Sequence, residues 1–477
     1  MASTLKPAAC LIDGEWVTGA DVRPVTNPAD DSVVGHVPWL GAEAAQHAVA
    51  AAERALPAWR ARTATDRAAI LMRFYELILS NEQALAEILT AEQGKPLAEA
   101  LGEIRYAASF IQWFAEEGKR TYGDVIPSAD PDKRIVVLKQ PVGVVAAITP
   151  WNFPAAMVTR KIGPALAAGC TVVLKPAEQT PMTALALGVL AQQAGVPAGV
   201  LNIVCGEPGE IGKVLTGSPA VRKLTFTGST EVGALLYAQC APGIKKLSLE
   251  LGGNAPFVVF DDADIDAAVQ GAMLSKFRNA GQTCVCANRF FVQAGVHDRF
   301  VEAFAEAAAD LVVAPGNEPG AAIGPLVDDA AVEKVRAHIS DALCQGASVV
   351  TGGDVSDRGG RFFRPTVLAG VHGAMKAAQH ETFGPLAPVI RFESEEEVIA
   401  QANATPFGLA AYFYSRDIGR VWRVAEAIEA GMVGVNTGLI STEVAPFGGV
   451  KASGLGREGS RYGLDDYLEI KTLSLAL

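Results

Sequence analysis

Val142-Gly-Val-Val-Ala-Ala-Ile148, Thr171-Val-Val-Leu174, Leu201-Asn-Ile-Val204 and Lys223-Leu-Thr-Phe226 decide the fold. Each is a short apolar run of the kind that fills a strand covered on both faces. Between them lie stretches with helical spacing, Ala155–Ala168, Pro181–Ala194 and Glu210–Thr216. One strand alternating with one helix predicts βαβ units, a parallel sheet and helices on both of its faces.

Upstream, Ala42–Arg60, Ala64–Glu92 and Pro96–Glu117 are rich in Ala, Leu and Glu with apolar residues three and four apart, and read as helices. Asp66 and Pro96 serve as start signals. Downstream the strand series restarts after Lys246–Glu250. Strands are expected at Phe257–Phe260, Arg289–Val292, Ser348–Thr351, Val389–Phe392, Ala410–Tyr414 and Gly431–Val435, and helices at Asp264–Phe277, Val296–Ala309 and Val327–Gln345. A second α/β domain therefore begins near residue 250. Tyr467–Leu475 alternates like a strand and would leave an open edge. With Arg134–Gln140 it is expected to pair with another subunit.

At 477 residues, half of them hydrophobic, the chain is long enough for two or three domains with large cores. Its net charge of −12 argues against nucleic acid as a partner. Seven scattered cysteines form no Cys-x-x-Cys pair, and the six histidines show no ligand spacing; a reducing compartment and no metal are expected. The amino terminus lacks a basic start and an apolar stretch, and no apolar run approaches the roughly 18 residues that span a bilayer. A cytoplasmic location without membrane contact follows as the expectation.

Two glycine patterns resemble phosphate sites and are set aside. Gly454-Leu-Gly456-Arg-Glu-Gly459 has dinucleotide-fingerprint lettering, but it follows no apolar strand and leaves no room for the acidic residue expected about 20 positions on. Gly206–Lys213 has the wrong glycine spacing for a P-loop. The informative residues lie at the carboxyl ends of the strands, where parallel sheets place ligands. These are Pro150-Trp-Asn-Phe-Pro154, Lys175-Pro-Ala-Glu178, Phe226-Thr-Gly228-Ser-Thr-Glu-Val-Gly233 and Glu250-Leu-Gly-Gly-Asn254. One such loop alone would be ordinary solvated surface, whereas four in succession build a crevice. Cys284, in Phe277-Arg-Asn-Ala-Gly-Gln-Thr-Cys284-Val-Cys286, sits between a helix and a strand, where a thiol can face a cleft.

Pro150–Pro154, Glu250–Asn254, Gly281–Cys284, Glu381-Thr-Phe-Gly-Pro385 and Pro446-Phe-Gly-Gly449 resemble, in order, the signature motifs of the aldehyde dehydrogenase superfamily. Thr159-Arg-Lys161, Ser275–Asn279, Cys284-Val-Cys286 and Asn436–Ser441 are similar to its succinate-semialdehyde dehydrogenases. The resemblance implies an α/β fold with a Rossmann-like NAD(P)-binding domain (1–120 and 139–249), a catalytic domain (250–446) and small β oligomerisation segments (121–138 and 447–477). It implies a homodimer or homotetramer.

It also implies a mechanism. Cys284 is the nucleophile, and a free thiol titrates near 8.5, so the thiolate needs local help. Asn152 and the Cys284 N–H form an oxyanion hole, each such donor worth about 3–4 kcal/mol in the transition state. Glu250 is the base for thioester hydrolysis. Lys175 and Glu178 take the adenosine ribose, Gly228, Ser229 and Gly233 the pyrophosphate, and Trp151, Glu381 and Phe383 the nicotinamide side. Arg160, Arg278 and Ser441 grip the distal carboxylate of a semialdehyde, since a guanidinium fork matches a carboxylate. Glu178 favours NAD, while Lys175 lets NADP be tolerated. Cys286, two residues on, is a redox partner for Cys284, about 6.6 Å away if the chain is extended. Oxidation of glutarate semialdehyde and redox-free thiol-esterase chemistry are the rival readings.

Overall fold

Thr171–Lys175 is buried along its whole length and pairs in parallel with Val144–Ile148 on one side and Leu201–Ile203 on the other. The side chains alternate. Val145, Ala147, Val172 and Leu174 enter one hydrophobic core, and Val144, Ala146 and Val173 enter a second on the opposite face. That period of two is why these runs are apolar throughout: both faces of the sheet are covered. The structure, a computed structural model, describes residues 5–477.

The sheet has eight strands in the order Glu15–Val17, Cys10–Ile12, Leu201–Ile203, Thr171–Lys175, Val144–Ile148, Val221–Thr227, Lys246–Glu250 and Gly454–Leu455. Five central strands are parallel; Cys10–Ile12 and Gly454–Leu455 join antiparallel at the two sides. A second sheet of seven strands runs Ser348–Thr351, Thr366–Ala369, Leu386–Phe392, Ala287–Gln293, Ala255–Val259, Ala410–Tyr414 and Met432–Val435. Only Ser348–Thr351 is antiparallel within it. Its core is aromatic, with the Phe257 and Phe290 rings 5.2 Å apart. The chain passes from one sheet to the other between Glu250 and Ala255, so both sheets end beside that crossing.

Three expectations need correction. The helical stretch 64–92 is two helices, Ala64–Ser80 and Glu82–Gln93. Asn81 interrupts it at φ −114°, ψ 16°, and its Nδ2 donates to Leu77 O at 2.8 Å, competing with the helical bond pattern. Thr63, whose side chain accepts from Asp66 N, caps the first of them. Second, four short strands precede the first helix, between Cys10 and Pro38; three to six residues are too few for a periodic signal. Third, Leu468–Ala476 is not left unpaired: within the chain it pairs antiparallel with Lys133–Pro141, which also pairs with Asp124–Ile126. The outer edge of Leu468–Ala476 stays open, with Ile470 exposed. No helix among the described residues is long and apolar enough to cross a membrane.

Candidate active site

The loops after Val144–Ile148, Val221–Thr227 and Lys246–Glu250 meet two loops of the second sheet around a cavity of about 250 Å³. Trp151, Asn152, Gly228, Cys284, Glu381 and Phe383 all contribute to its wall. Residues from four separate motifs thus converge on one space, at the carboxyl ends of the first sheet's parallel strands and the amino ends of the second sheet's.

Cys284 reaches the cavity on a contorted loop. After the helix Ile265–Phe277, Asn279, Ala280 and Gly281 are consecutively left-handed, at φ 51°, 55° and 77°. For Asn and Ala such positions cost of order 1–3 kcal/mol each and persist only where surroundings enforce them. Here Glu99 accepts from Asn279 N at 2.8 Å, Asn279 Nδ2 donates to Asn152 O at 3.1 Å, and Gln282 Oε1 accepts from Val327 N at 2.9 Å. Gly281 is obligatory, because a Cβ there would lie 2.2 Å from Gly384 O. Burial pushes the Cys284 thiol up to about 12; Arg160 pulls it down, and Glu381 and Glu250 push with the burial. The resting sulfur is therefore a thiol at neutral pH.

Cys286 does not share an extended strand with Cys284. Cys286 N donates to Thr283 O at 2.9 Å and closes a turn, and the strand starts only at Ala287. Cys286 Sγ donates to Lys276 O at 3.5 Å in the protein interior, whereas Cys284 is partly open to the cavity. The extended spacing on which a Cys284–Cys286 bond was expected is absent.

Asn152 Nδ2 spends one hydrogen on Gln282 O, at 3.1 Å. Its main chain is clamped from below by a buried ion pair that the sequence did not disclose. Lys95 Nζ donates to Glu103 Oε2 at 2.6 Å and to Asn152 O at 2.8 Å, while Glu103 Oε1 accepts from Ala155 N and Ala156 N. Glu103 thereby satisfies the orphan N–H groups that open the helix Ala156–Ala168.

Arg160 lies on that helix, 1% exposed, and its guanidinium is 3.9 Å from the Phe447 ring. It forms an ion pair with Glu458 at 2.7 Å, and Lys161 Nζ reaches the other oxygen of Glu458 at 2.5 Å and Thr227 Oγ1 at 2.7 Å. The Arg160 contact lacks hydrogen-bond alignment, so its Nε and Nη2 donors remain uncommitted within the protein. Glu458 is the acidic residue inside Gly454–Gly459, the string with fingerprint lettering. Those glycines serve close packing: a Cβ on Gly454 would lie 1.8 Å from Leu249 O. Burial raises Glu458, but Lys161 and Arg160 outweigh it and hold the carboxylate below its usual range.

Glu250 ends its strand beside this group, 3% exposed, with Oε2 unpartnered. Burial and then the Glu458 charge raise it well above the carboxylate range, against Arg160, Lys161 and Arg457. Its neighbours Leu251 and Gly252 line the cavity, whereas Glu250 stands behind the wall. Arg278 is placed differently from Arg160. It borders an apolar groove of about 420 Å³ with Phe277 and Leu439, 5.1 Å from the Phe153 ring, and forms no ion pair among the described residues. Ser441, partly buried, lies two residues beyond Leu439. The three expected carboxylate ligands are thus not gathered on the wall of the 250 Å³ cavity.

The expected cofactor residues fall into two groups. Ser229 caps the helix Thr230–Cys240, its side chain accepting from Val232 N. Gly233 packs on Leu251, where a Cβ would be 2.4 Å from Leu251 Cδ2. A helix N-terminus bordered by glycine, open to the cavity at Gly228 and Gly252, fits a pyrophosphate. Opposite it, Glu381 Oε1 accepts from Gly253 N at 3.2 Å, and burial raises the carboxyl to about 7. Phe383, left-handed at φ 55°, meets Trp151 edge-on at 5.6 Å. Lys175 and Glu178 form a second group, ion-paired to each other at the end of Thr171–Lys175 and away from this cavity. The residues present fit a nicotinamide dinucleotide, with Lys334 as a further cavity residue that no sequence motif marked.

Comparison with known proteins agrees with this geometry. The chain is 62% identical, over all of its length and 99% of the relative's, to succinate-semialdehyde dehydrogenase [NADP(+)] GabD of Escherichia coli. It is equally 62% identical, over 98% of the chain and 97% of the relative, to glutarate-semialdehyde dehydrogenase of Pseudomonas putida. The crystal structure of succinate-semialdehyde dehydrogenase from Burkholderia pseudomallei superposes with a TM-score of 0.99 at 61% identity, covering 99% of both chains. The model of the aldehyde dehydrogenase family matches residues 16–473. With the strands, the cavity and the Cys284 loop arranged as they are, this chain belongs to the aldehyde dehydrogenase family.

Proposed function

We propose that the protein oxidises succinic semialdehyde to succinate with NAD(P)+ through covalent attack by Cys284. The observation that carries this reading is Cys284 on the wall of a cavity shared by Asn152 and the Ser229 helix start, with the Arg160 charge acting on Cys284 while two of its donors stay unbonded. A bound nicotinamide supplies the hydride acceptor. Asn152 and the Cys284 N–H stabilise the oxyanion formed when the thiolate adds to the aldehyde. Glu250, once ionised, takes the proton from the water that hydrolyses the thioester. Its raised pKa makes that step faster as pH rises beyond the ordinary carboxylate range, because the basic form becomes more populated.

The distal carboxylate is assigned to Arg160, Arg278 and Ser441. Arg278→Ala is expected to raise KM for succinic semialdehyde roughly tenfold to a hundredfold, the worth of a hydrogen bond to a charged group, and to leave butanal nearly unchanged. Steady-state kinetics on both aldehydes check this; equal losses on both would make Arg278 structural. Glutarate semialdehyde is the second reading, favoured by the equal identity to the Pseudomonas putida enzyme. It needs the same arginines with one more methylene of depth.

For the cofactor, Lys175 and Glu178 are assigned to the adenosine ribose. Glu178 accepts hydrogen bonds from ribose hydroxyls and opposes a 2′-phosphate, which favours NAD. The Escherichia coli relative is named for NADP(+), and Lys175 supports that alternative. Glu178→Ser frees the Lys175 ammonium and is expected to move the kcat/KM ratio toward NADP by about tenfold, or ~1.4 kcal/mol. A ratio unmoved in the variant would remove Glu178 from this role. The division into 1–120 with 139–249, 250–446, and 121–138 with 447–477, a cytoplasmic location and a homodimer or homotetramer complete the reading. The open edge of Leu468–Ala476 supports the assembly.

A further inference from the structure

The helix Leu97–Glu117 runs beneath the site, and four residues on one of its faces do different work there. Glu99 holds Asn279 N, Glu103 holds the Asn152 loop through Lys95, and Phe110 lies 5.7 Å from the Arg160 guanidinium. Tyr106 stands between them in the same stripe, since steps of three and four residues repeat one helical face. Its ring meets Phe110 edge-on at 4.9 Å. Its hydroxyl is buried yet bonds to nothing within the protein. A buried hydroxyl without a partner costs about 1–3 kcal/mol and calls for an explanation.

The charges around that hydroxyl narrow the explanation. Burial pushes the Tyr106 hydroxyl's pKa up, and the Arg160 and Arg278 charges pull it down against smaller pushes from Glu458 and Glu443. Glu458 is already engaged by Lys161 and Arg160, and Glu443 accepts from Ser109 and Thr442. Glu443 also fixes the segment that follows Ser441 against this helix, one turn from Tyr106. Tyr106 is therefore an unengaged, uncharged donor close to the two arginines assigned to the distal carboxylate. We propose that the Tyr106 hydroxyl donates a hydrogen bond to the distal carboxylate of the substrate, beside Arg160 and Arg278, and so selects carboxylated over neutral aldehydes. A phenol is an apt complement to two arginines: it adds a directed donor without adding a further positive charge or the desolvation cost of one.

This assignment rests on the semialdehyde reading above, and the experiment separates the two. Steady-state kinetics of the full-length enzyme and of Tyr106→Phe are measured with succinic semialdehyde and with butanal, with cofactor saturating. Wild type is expected to prefer succinic semialdehyde, and Tyr106→Phe to raise its KM about tenfold or more while kcat and the butanal constants stay within about twofold. The unchanged butanal constants report that the variant is folded and that the Lys95–Glu103 clamp is intact. A wild type without preference for the carboxylated aldehyde overturns the semialdehyde reading and this one with it. A preferring wild type whose Tyr106→Phe variant keeps its KM, or loses equally on both aldehydes, overturns the role of Tyr106 alone.

Discussion

Cys284→Ala is expected to lower steady-state aldehyde oxidation by at least about 10⁴-fold, because no other residue stands in for a lost nucleophile. Among the described residues, the other cysteines lie elsewhere than on the cavity wall: Cys286 points to Lys276 O, Cys10, Cys170, Cys205 and Cys240 are buried, and Cys344 is exposed outside the cavity. Dinucleotide binding, followed by fluorescence or calorimetry, is expected to stay within about twofold, since Ser229, Glu381 and Phe383 approach the cavity on other loops. Appreciable oxidation by the alanine variant would remove the covalent mechanism. The same reasoning fixes the pH behaviour of the wild-type thiol. With the Cys284 pKa at about 12, the thiolate fraction of the free enzyme rises about tenfold per pH unit through the neutral range, and alkylation by iodoacetamide should follow it.

Glu250→Gln carries the second large expectation. Oxidation through the first turnover requires the thiolate and a cofactor, whereas hydrolysis of the thioester requires a base. The amide cannot accept that proton, so the variant should release about one equivalent of reduced cofactor per site and then stall, with steady-state turnover down by about 10²–10⁴-fold. The part of the pH dependence of wild-type turnover that comes from the raised Glu250 carboxyl should vanish as well. Unchanged steady-state turnover in the variant would exclude Glu250 as the base.

Much of this was legible in the sequence for one physical reason: the residues that touch the cavity are carried by short contiguous loops next to apolar strands. Val144–Ile148 announces Asn152, Lys246–Glu250 announces Leu251 and Gly252, and the Gly281 turn announces Cys284. What stayed hidden acts across long separations. Lys161 and Glu458 are 297 residues apart, and nothing local ties Lys95 to Asn152. Glu458 was further masked because it sits among glycines whose lettering mimics a dinucleotide fingerprint, although Gly454 is there to let a strand pass Leu249. Tyr106 looks like any amphipathic-helix aromatic until Arg160 and Arg278 are placed around it. The Cys284–Cys286 spacing misled for the opposite reason. A turn closed by Cys286 N on Thr283 O replaces the extended chain that the spacing suggested.

The most direct test of the central claim is peptide mass mapping of Glu250→Gln, quenched in acid seconds after mixing with succinic semialdehyde and oxidised cofactor. The covalent mechanism predicts one succinyl group per chain, located on the peptide that carries Cys284 and absent when the cofactor is omitted. A burst of reduced cofactor with no acyl group on Cys284, or with the group on another residue, would contradict it.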